Sequence, residues 1–96
     1  MKKSMLNILA CPIDKHYPLV LFEISVSEDD KRTSDETINM GILYCDKCTR
    51  FYPIIEQIPI MLPDELRDKQ KDIEFLQKWR DVIPIDILHK ARPWHL

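Results

Sequence analysis

Tyr44–Glu65 reads YCDKCTRFYPIIEQIPIMLPDE, and its reading decides the fold. It opens with Cys45-Asp-Lys-Cys48, a C-x2-C knuckle. Two apolar runs follow, Phe51–Ile55 and Ile58–Leu62, parted by the polar pair Glu56-Gln57. Short apolar runs around a two-residue polar break are the pattern of a β-hairpin. Pro63-Asp64 then gives a helix-start signal. Knuckle, hairpin and helix start lie back to back, so this segment is expected to hold most of a small sheet.

Upstream, Ile38, Met40, Ile42 and Tyr44 alternate and predict a strand leading into the knuckle. Val20, Phe22, Ile24 and Val26 alternate within Leu19–Val26 and predict another, with these four on one face. The polar stretch Ser27–Glu36 (SEDDKRTSDE) between them reads as a solvated hairpin loop. Ser4–Ala10 reads as a short helix capped by Ser4, with Met5, Ile8 and Leu9 on one side. It stops at Cys11-Pro12, because a residue before proline avoids the helical region, and Ile13–Tyr17 is a turn. Pro53 and Pro59 cannot donate to a ladder and are expected at sheet edges or strand starts.

Downstream, the helix opened by Pro63-Asp64-Glu65 is expected to run to about Arg80. Leu66, Ile73 and Leu76 form its stripe, with Phe75 and Trp79 flanking it. Pro84 starts a second short helix with Ile85, Leu88 and Ala91 buried, and Arg92–Leu96 is a tail. The expected fold class is α+β: a small antiparallel sheet of about four strands, zinc-ribbon-like, with a short N-terminal helix and one or two C-terminal helices. Residues 1–96 read as a single domain, with the ribbon-like core over 1–63 and a helical part over 64–96.

Composition narrows the function. A hydrophobic share of 45% and a charged share of 31% describe a globular chain, not a disordered one. A net charge of -2 argues against tight unaided binding to nucleic acid, which needs a surplus of cations. No apolar run approaches the ~18 residues of a membrane span, and nothing resembles a targeting segment. The chain reads as soluble and cytoplasmic. With one glycine, left-handed turn positions must fall to Asn, Asp or Gln, or the turns must be of other types. His16, His89 and His95 are scattered and no nucleophile sits beside a readable base, so no catalytic constellation stands out.

Structural zinc takes four ligands, usually two from each of two knuckles. Cys45 and Cys48 form one knuckle. Cys11-Pro12-Ile13-Asp14 looks like the other with its second cysteine replaced. Three readings stay open: Asp14 ligates through oxygen, His16 ligates through nitrogen, or the metal is lost and the site is filled by packing. Thr49 stands where a knuckle usually carries glycine in a left-handed turn, at a cost of about 1–2 kcal/mol. A thioredoxin-type redox reading of Cys45-x2-Cys48 fits poorly, because the motif lies between two strands rather than at a strand-to-helix junction.

These residues carry a family resemblance. Ile8-Leu9-Ala10-Cys11-Pro12, Cys45-Asp-Lys-Cys48, Tyr52-Pro53-Ile54 and Ile58-Pro59-Ile60-Met61-Leu62-Pro63 stand in the order and spacing of a known pattern. It belongs to the small activator subunit of S-adenosylmethionine-dependent methyltransferases that modify tRNA, rRNA and translation release factors. The chain resembles that family from Met1 to about Arg67. It departs from it at Asp14, where one form has the second cysteine, and at His16, where another form has it. Thr49 and Gln57 replace two glycines. The short Ser27–Glu36 loop is similar to that of archaeal and bacterial members.

The resemblance implies a non-catalytic subunit. Such a subunit adds a strand to the methyltransferase sheet, covers an apolar patch on it, and stabilises it as a heterodimer. S-adenosylmethionine is then bound by the partner only, zinc is a possible cofactor, and contact with RNA is indirect or weak. The residues agree: Ile58, Ile60 and Leu62 point one way, Pro59 and Met61 the other. A domain this thin is expected to leave one apolar face open for a partner. The expected partner-binding residues are therefore Ile58, Pro59, Ile60, Met61 and Leu62. The alternative from another class is a free-standing zinc-ribbon-like nucleic-acid-binding module, with Lys47, Arg50, Lys69 and Lys71 as a basic edge. Residues 67–71 and the Arg92–Leu96 tail are the other places where RNA contact is conceivable.

Overall fold

The computed structural model describes residues 1–27 and 37–96. Beyond Ser27, the expected Ser27–Glu36 loop lies outside the described residues. Strands β1 (Val20–Ser27), β2 (Thr37–Tyr44), β3 (Phe51–Ile55) and β4 (Ile58–Pro59) pair antiparallel in the order β1-β2-β3-β4. A 3-10 turn, Lys3–Asn7, precedes the sheet. A second, Asp64–Leu66, follows it and leads to helices α1 (Lys69–Lys78) and α2 (Ile85–Lys90). This is the α+β plan expected from the sequence.

The pleat sorts side chains onto two faces. Leu43, Tyr52 and Ile54 pack with Met1, Cys11 and Leu19 under the N-terminal segment. Ile42 and Phe51 pack on the other face with Phe75, Leu76, Ile87 and Leu88 of the helices. Over β1–β3 both faces are thus covered by the chain itself, and the apolar face expected to stay open narrows to a strip along β4. The N-terminus is tied in by its amine, which donates to the carbonyls of Ile38 (3.0 Å) and Gln57.

Two offset bulges break the simple alternation. The register passes from Glu23↔Gly41 to Ser25↔Met40 to Val26↔Ile38, so Ile24 is an extra residue on β1 and Asn39 on β2. An inserted residue switches faces. Val26 and Ile38 therefore join the N-terminal face, while Phe22, Ile24, Ile42 and Tyr44 stay with the helices. Gly41 sits at this irregularity. A Cβ there would stand 2.8 Å from the Phe22 carbonyl oxygen, so any side chain would force the strands apart.

β3 has the expected bounds, but β4 is shorter than Ile58–Leu62, and Pro53 explains why. Pro53 lies in the middle of β3, opposite Ile42, and not at an edge or strand start. Its carbonyl accepts from Ile60 N–H (2.9 Å). The return bond needs an N–H that Pro53 lacks, so the antiparallel pair stays half-made and the ladder ends. The Glu56-Gln57 turn has φ of 49 and 70, the two left-handed residues of a type I′ hairpin. Gln57 is held there by its N–H and its side-chain amide, which donate to the carbonyl and side-chain oxygens of Asn39 (both 2.9 Å).

The helical expectations need three corrections. The first segment is a 3-10 turn begun at Lys3 with no side-chain cap, so Ser4 is inside it. Leu6 and Leu9 pack inward and Ile8 faces solvent, a consequence of the tighter turn. The long helix does not begin at Pro63. The chain stays extended at Arg67 and Asp68 after the second 3-10 turn, and Asp68 caps α1 by accepting from Lys71 N–H (3.2 Å). Leu66 is consequently exposed and off the helix stripe, which is Asp72, Phe75 and Leu76. In α2, Ile87 takes the buried place expected for Ile85.

The break follows from burying Arg67. Its side chain is 2% exposed, with the guanidinium carbon 4.6 Å from the Phe51 ring centroid and 5.3 Å from that of Tyr52. Asp72 Oδ2 accepts from Arg67 Nε (2.9 Å) and from Trp94 Nε1 (3.0 Å). The tail is therefore docked. Arg92 N–H donates to the Thr49 carbonyl (2.8 Å) and Phe51 N–H to the Arg92 carbonyl (3.2 Å).

Candidate functional site

Two sites emerge at opposite ends of β3. The first is built from two knuckles with the same backbone. Cys11 C=O accepts from Lys15 N–H (2.8 Å) and Cys11 N–H donates to His16 C=O (2.9 Å). Cys45 C=O accepts from Thr49 N–H (2.8 Å) and Cys45 N–H donates to Arg50 C=O (2.9 Å). The fifth residue of each is left-handed: Lys15 at φ 61, Thr49 at φ 62. Asp14 therefore occupies in one knuckle the place Cys48 has in the other.

The structure brings Cys11, Asp14, Cys45 and Cys48 together, with one candidate ligand atom from each lying within 4.8 Å of the others. Cys11 Sγ is 3.6 Å from Cys48 Sγ, and Cys45 Sγ is 3.6 and 3.7 Å from the Asp14 carboxylate oxygens. A tetrahedral zinc with bonds of about 2.3 Å to sulfur and about 2.1 Å to oxygen requires edges of about 3.8 and 3.6 Å. The four groups could hold a metal ion of that kind. His16 is not among them: its Nε2 lies 2.8 Å from Asp46 Oδ1, clasping the two knuckles from outside.

The surroundings favour ionised ligands unequally. His16 N–H donates to Asp14 Oδ1 (2.9 Å) and holds that carboxyl below its ordinary value. Burial pushes the Cys45 thiol up to about 12. Burial also acts on Cys48, but hydrogen bonds from the Arg50 side chain and backbone outweigh it and lower that thiol. Burial raises the Tyr52 hydroxyl, which sits 3.1 Å from Cys11 Sγ. It stays protonated and donates when Cys11 is a thiolate. Arg50 also grips Asp64 through Nε (2.9 Å) and a terminal nitrogen (2.8 Å), tying the cluster to the end of the hairpin segment.

The second site is the β4 side of the sheet. Ile58 is 60% exposed and Leu66 65%. Pro53, Ile55, Ile58, Ile60 and Leu62 line a groove of about 400 Å³ whose far wall is the first turn of α1. α1 covers the sheet only as far as β3, which leaves this strip open. Met61 turns away and packs on the N-terminal face.

Sequence reasoning placed the two knuckles and the Ile58–Leu62 segment. It missed Tyr52 and Arg50 beside the cysteines, buried Arg67, and the far wall of the groove. Asp68, a second cap candidate three residues before Lys71, was the available signal for the late start of α1. Of the basic edge considered for nucleic acid, Arg50 is taken up by Asp64.

A family model described as Trm112p-like protein matches residues 2–56, more than half of the chain. The chain belongs to the Trm112p-like family. This is the family that the sequence resembles, and its members act at the family level as methyltransferase-activating partners, generally non-catalytic ones. In this Trm112p-like chain both knuckles fall inside the match, and Ile58–Pro63 begins just beyond it. Comparison with curated proteins and with solved structures returned no match. Among the described residues no helix is long and apolar enough to cross a membrane.

Proposed function

We propose that this chain is a non-catalytic partner subunit of a cytoplasmic S-adenosylmethionine-dependent methyltransferase that modifies tRNA, rRNA or a translation release factor. It pairs with that enzyme as a heterodimer, through strand addition along Ile58–Leu62 and burial of the adjoining groove. The partner alone binds S-adenosylmethionine. Cys11, Asp14, Cys45 and Cys48 would hold zinc as a structural ion, joining the N-terminal segment to the β2–β3 corner.

The observation that supports this most is the apolar groove beside a sheet edge. Burying such a groove in a partner releases about 25 cal/mol per Å² of apolar area. A subunit that binds only the folded enzyme stabilises it by mass action. The test is co-purification with a tagged chain, with the captured methyltransferase identified by mass spectrometry. Ile60→Asp, which places a charge in the groove, is expected to cut recovery more than tenfold while the circular dichroism of the free chain is unchanged. Full recovery with Ile60→Asp would sink the assignment.

A further inference from the structure

We propose that hydrogen peroxide joins Cys11 to Cys48 in a reversible disulfide, which replaces a metal ion as the bridge between the two knuckles while Asp14 keeps Cys45 reduced. This goes beyond the partner role above and does not depend on it. The Cys11 and Cys48 sulfurs stand 3.6 Å apart, although 37 positions separate them in the chain. A disulfide bond is about 2 Å long, so the sulfurs have about 1.6 Å to close. The first knuckle has room to make that move, since Pro12, Ile13 and Lys15 are exposed.

The three thiols differ in access. Cys48 is partly exposed, whereas Cys11 and Cys45 are buried, so peroxide meets Cys48 first. The Cys48 sulfur attacks one peroxide oxygen, the O–O bond breaks, and the other oxygen leaves as water with the thiol proton. The sulfenic acid then condenses with a neighbouring thiol: the S–S bond forms, the S–O bond breaks, and a second water leaves. Two thiols lose two electrons and two protons, and one peroxide becomes two waters. Where the two sulfurs start as metal-bound thiolates, the same electrons pass to peroxide and hydroxide is formed instead of water. Asp14 and Cys45 are then too few to keep an ion that needs four ligands.

Cys11 is the thiol placed to close the bond. Cys45 Sγ faces the other way in the cluster and donates to the Asp14 carboxylate oxygens (3.7 and 3.6 Å), which offer it no sulfur to bond. A cysteine at position 14 would give Cys45 a disulfide partner of its own. Aspartate leaves it as the one thiol outside the bridge. The Cys11–Cys48 bond joins the same two segments that a metal would join, and it closes a long loop that restricts the unfolded chain.

The experiment treats the whole purified chain, zinc-loaded and zinc-free, with a stoichiometric amount of hydrogen peroxide. Remaining thiols are alkylated, the disulfide is mapped by mass spectrometry of proteolytic peptides, and a chromogenic chelator reads released zinc. Both samples are expected to show Cys11 linked to Cys48 with Cys45 alkylated, and the loaded one to release its zinc in step with the link. A dithiol reductant should restore all three thiols. The oxidised chain is expected to melt at a higher temperature than the reduced, zinc-free chain. In Asp14→Cys, Cys45 is expected to oxidise as well. The pairing is overturned if wild type forms no disulfide, if Cys45 enters it, or if Cys48 passes to sulfinic acid while Cys11 stays open to alkylation. A Cys11–Cys48 link that leaves the melting temperature unchanged or lower overturns its part as a bridge. Cys45 still reduced in Asp14→Cys overturns the part given to Asp14. The mapping is made on wild type, so the pairing is decided whether or not the variant folds.

Discussion

The two knuckles share every backbone hydrogen bond but differ in what holds them. The Cys11–His16 knuckle buries Cys11 but exposes Pro12, Ile13 and Lys15, and it is clasped at its rim by His16 and Asp46. The Cys45–Arg50 knuckle is gripped on three sides: by β3, by Asp64 through Arg50, and by the tail through Thr49 and Arg92. Each knuckle backbone thus turns its first and fourth side chains toward the cluster, whether the fourth is a carboxylate, as at Asp14, or a thiol, as at Cys48. The tightly held knuckle carries two cysteines, the loosely held one a cysteine and an aspartate.

Asp72→Ala tests that asymmetry most severely. It strands the buried Arg67 and the Trp94 indole that anchor the tail, and removing one member of a buried pair costs about 3–5 kcal/mol. Urea unfolding should show that loss, and the amides of Phe51 and Arg92 should exchange faster relative to Lys15. A loss under about 1 kcal/mol would mean that the tail does not support the second knuckle.

Asp14→Cys sharpens the comparison by making the ligand sets alike. If the first knuckle already has cysteine geometry, zinc affinity in a chelator competition should rise tenfold or more, about 1.4 kcal/mol, since thiolate suits zinc better than a single carboxylate. His16→Ala should leave affinity unchanged. A fall in affinity with His16→Ala would restore His16 as a ligand.

The smallest effect separates the two left-handed residues. Thr49→Gly relieves a β-branched residue of about 1–2 kcal/mol, less the flexibility cost of glycine of about 0.5–1 kcal/mol. Thermal unfolding should show a gain between about zero and about 1.5 kcal/mol. Lys15→Gly, which removes an unbranched side chain at the same φ, should gain less than Thr49→Gly. Equal gains at both positions would remove β-branching as the source of strain.

What the sequence made legible was local. The C-x2-C spacing, the Glu56-Gln57 break and the bounds of β3 are encoded within a few residues of where they act. The bulges were not legible, because Ile24 and Asn39 become extra only when β1 and β2 meet. Nor was the late start of α1: Pro63-Asp64 is a sound local signal, overridden by the burial of Arg67 among Phe51, Tyr52 and Trp94. The cysteine cluster could be read to three members and a choice for the fourth. Only the folded positions of Asp14 and His16, one turned into the cluster and one to Asp46, separate them.

Pro53 reaches further than the strand it sits in. By withholding one N–H it leaves Ile60–Pro63 joined to the sheet by one backbone hydrogen bond and by the packing of Met61, a margin stitched at one place instead of a woven hem. If a partner strand docks there as proposed, it meets a margin with no ladder of its own to break beyond Pro59.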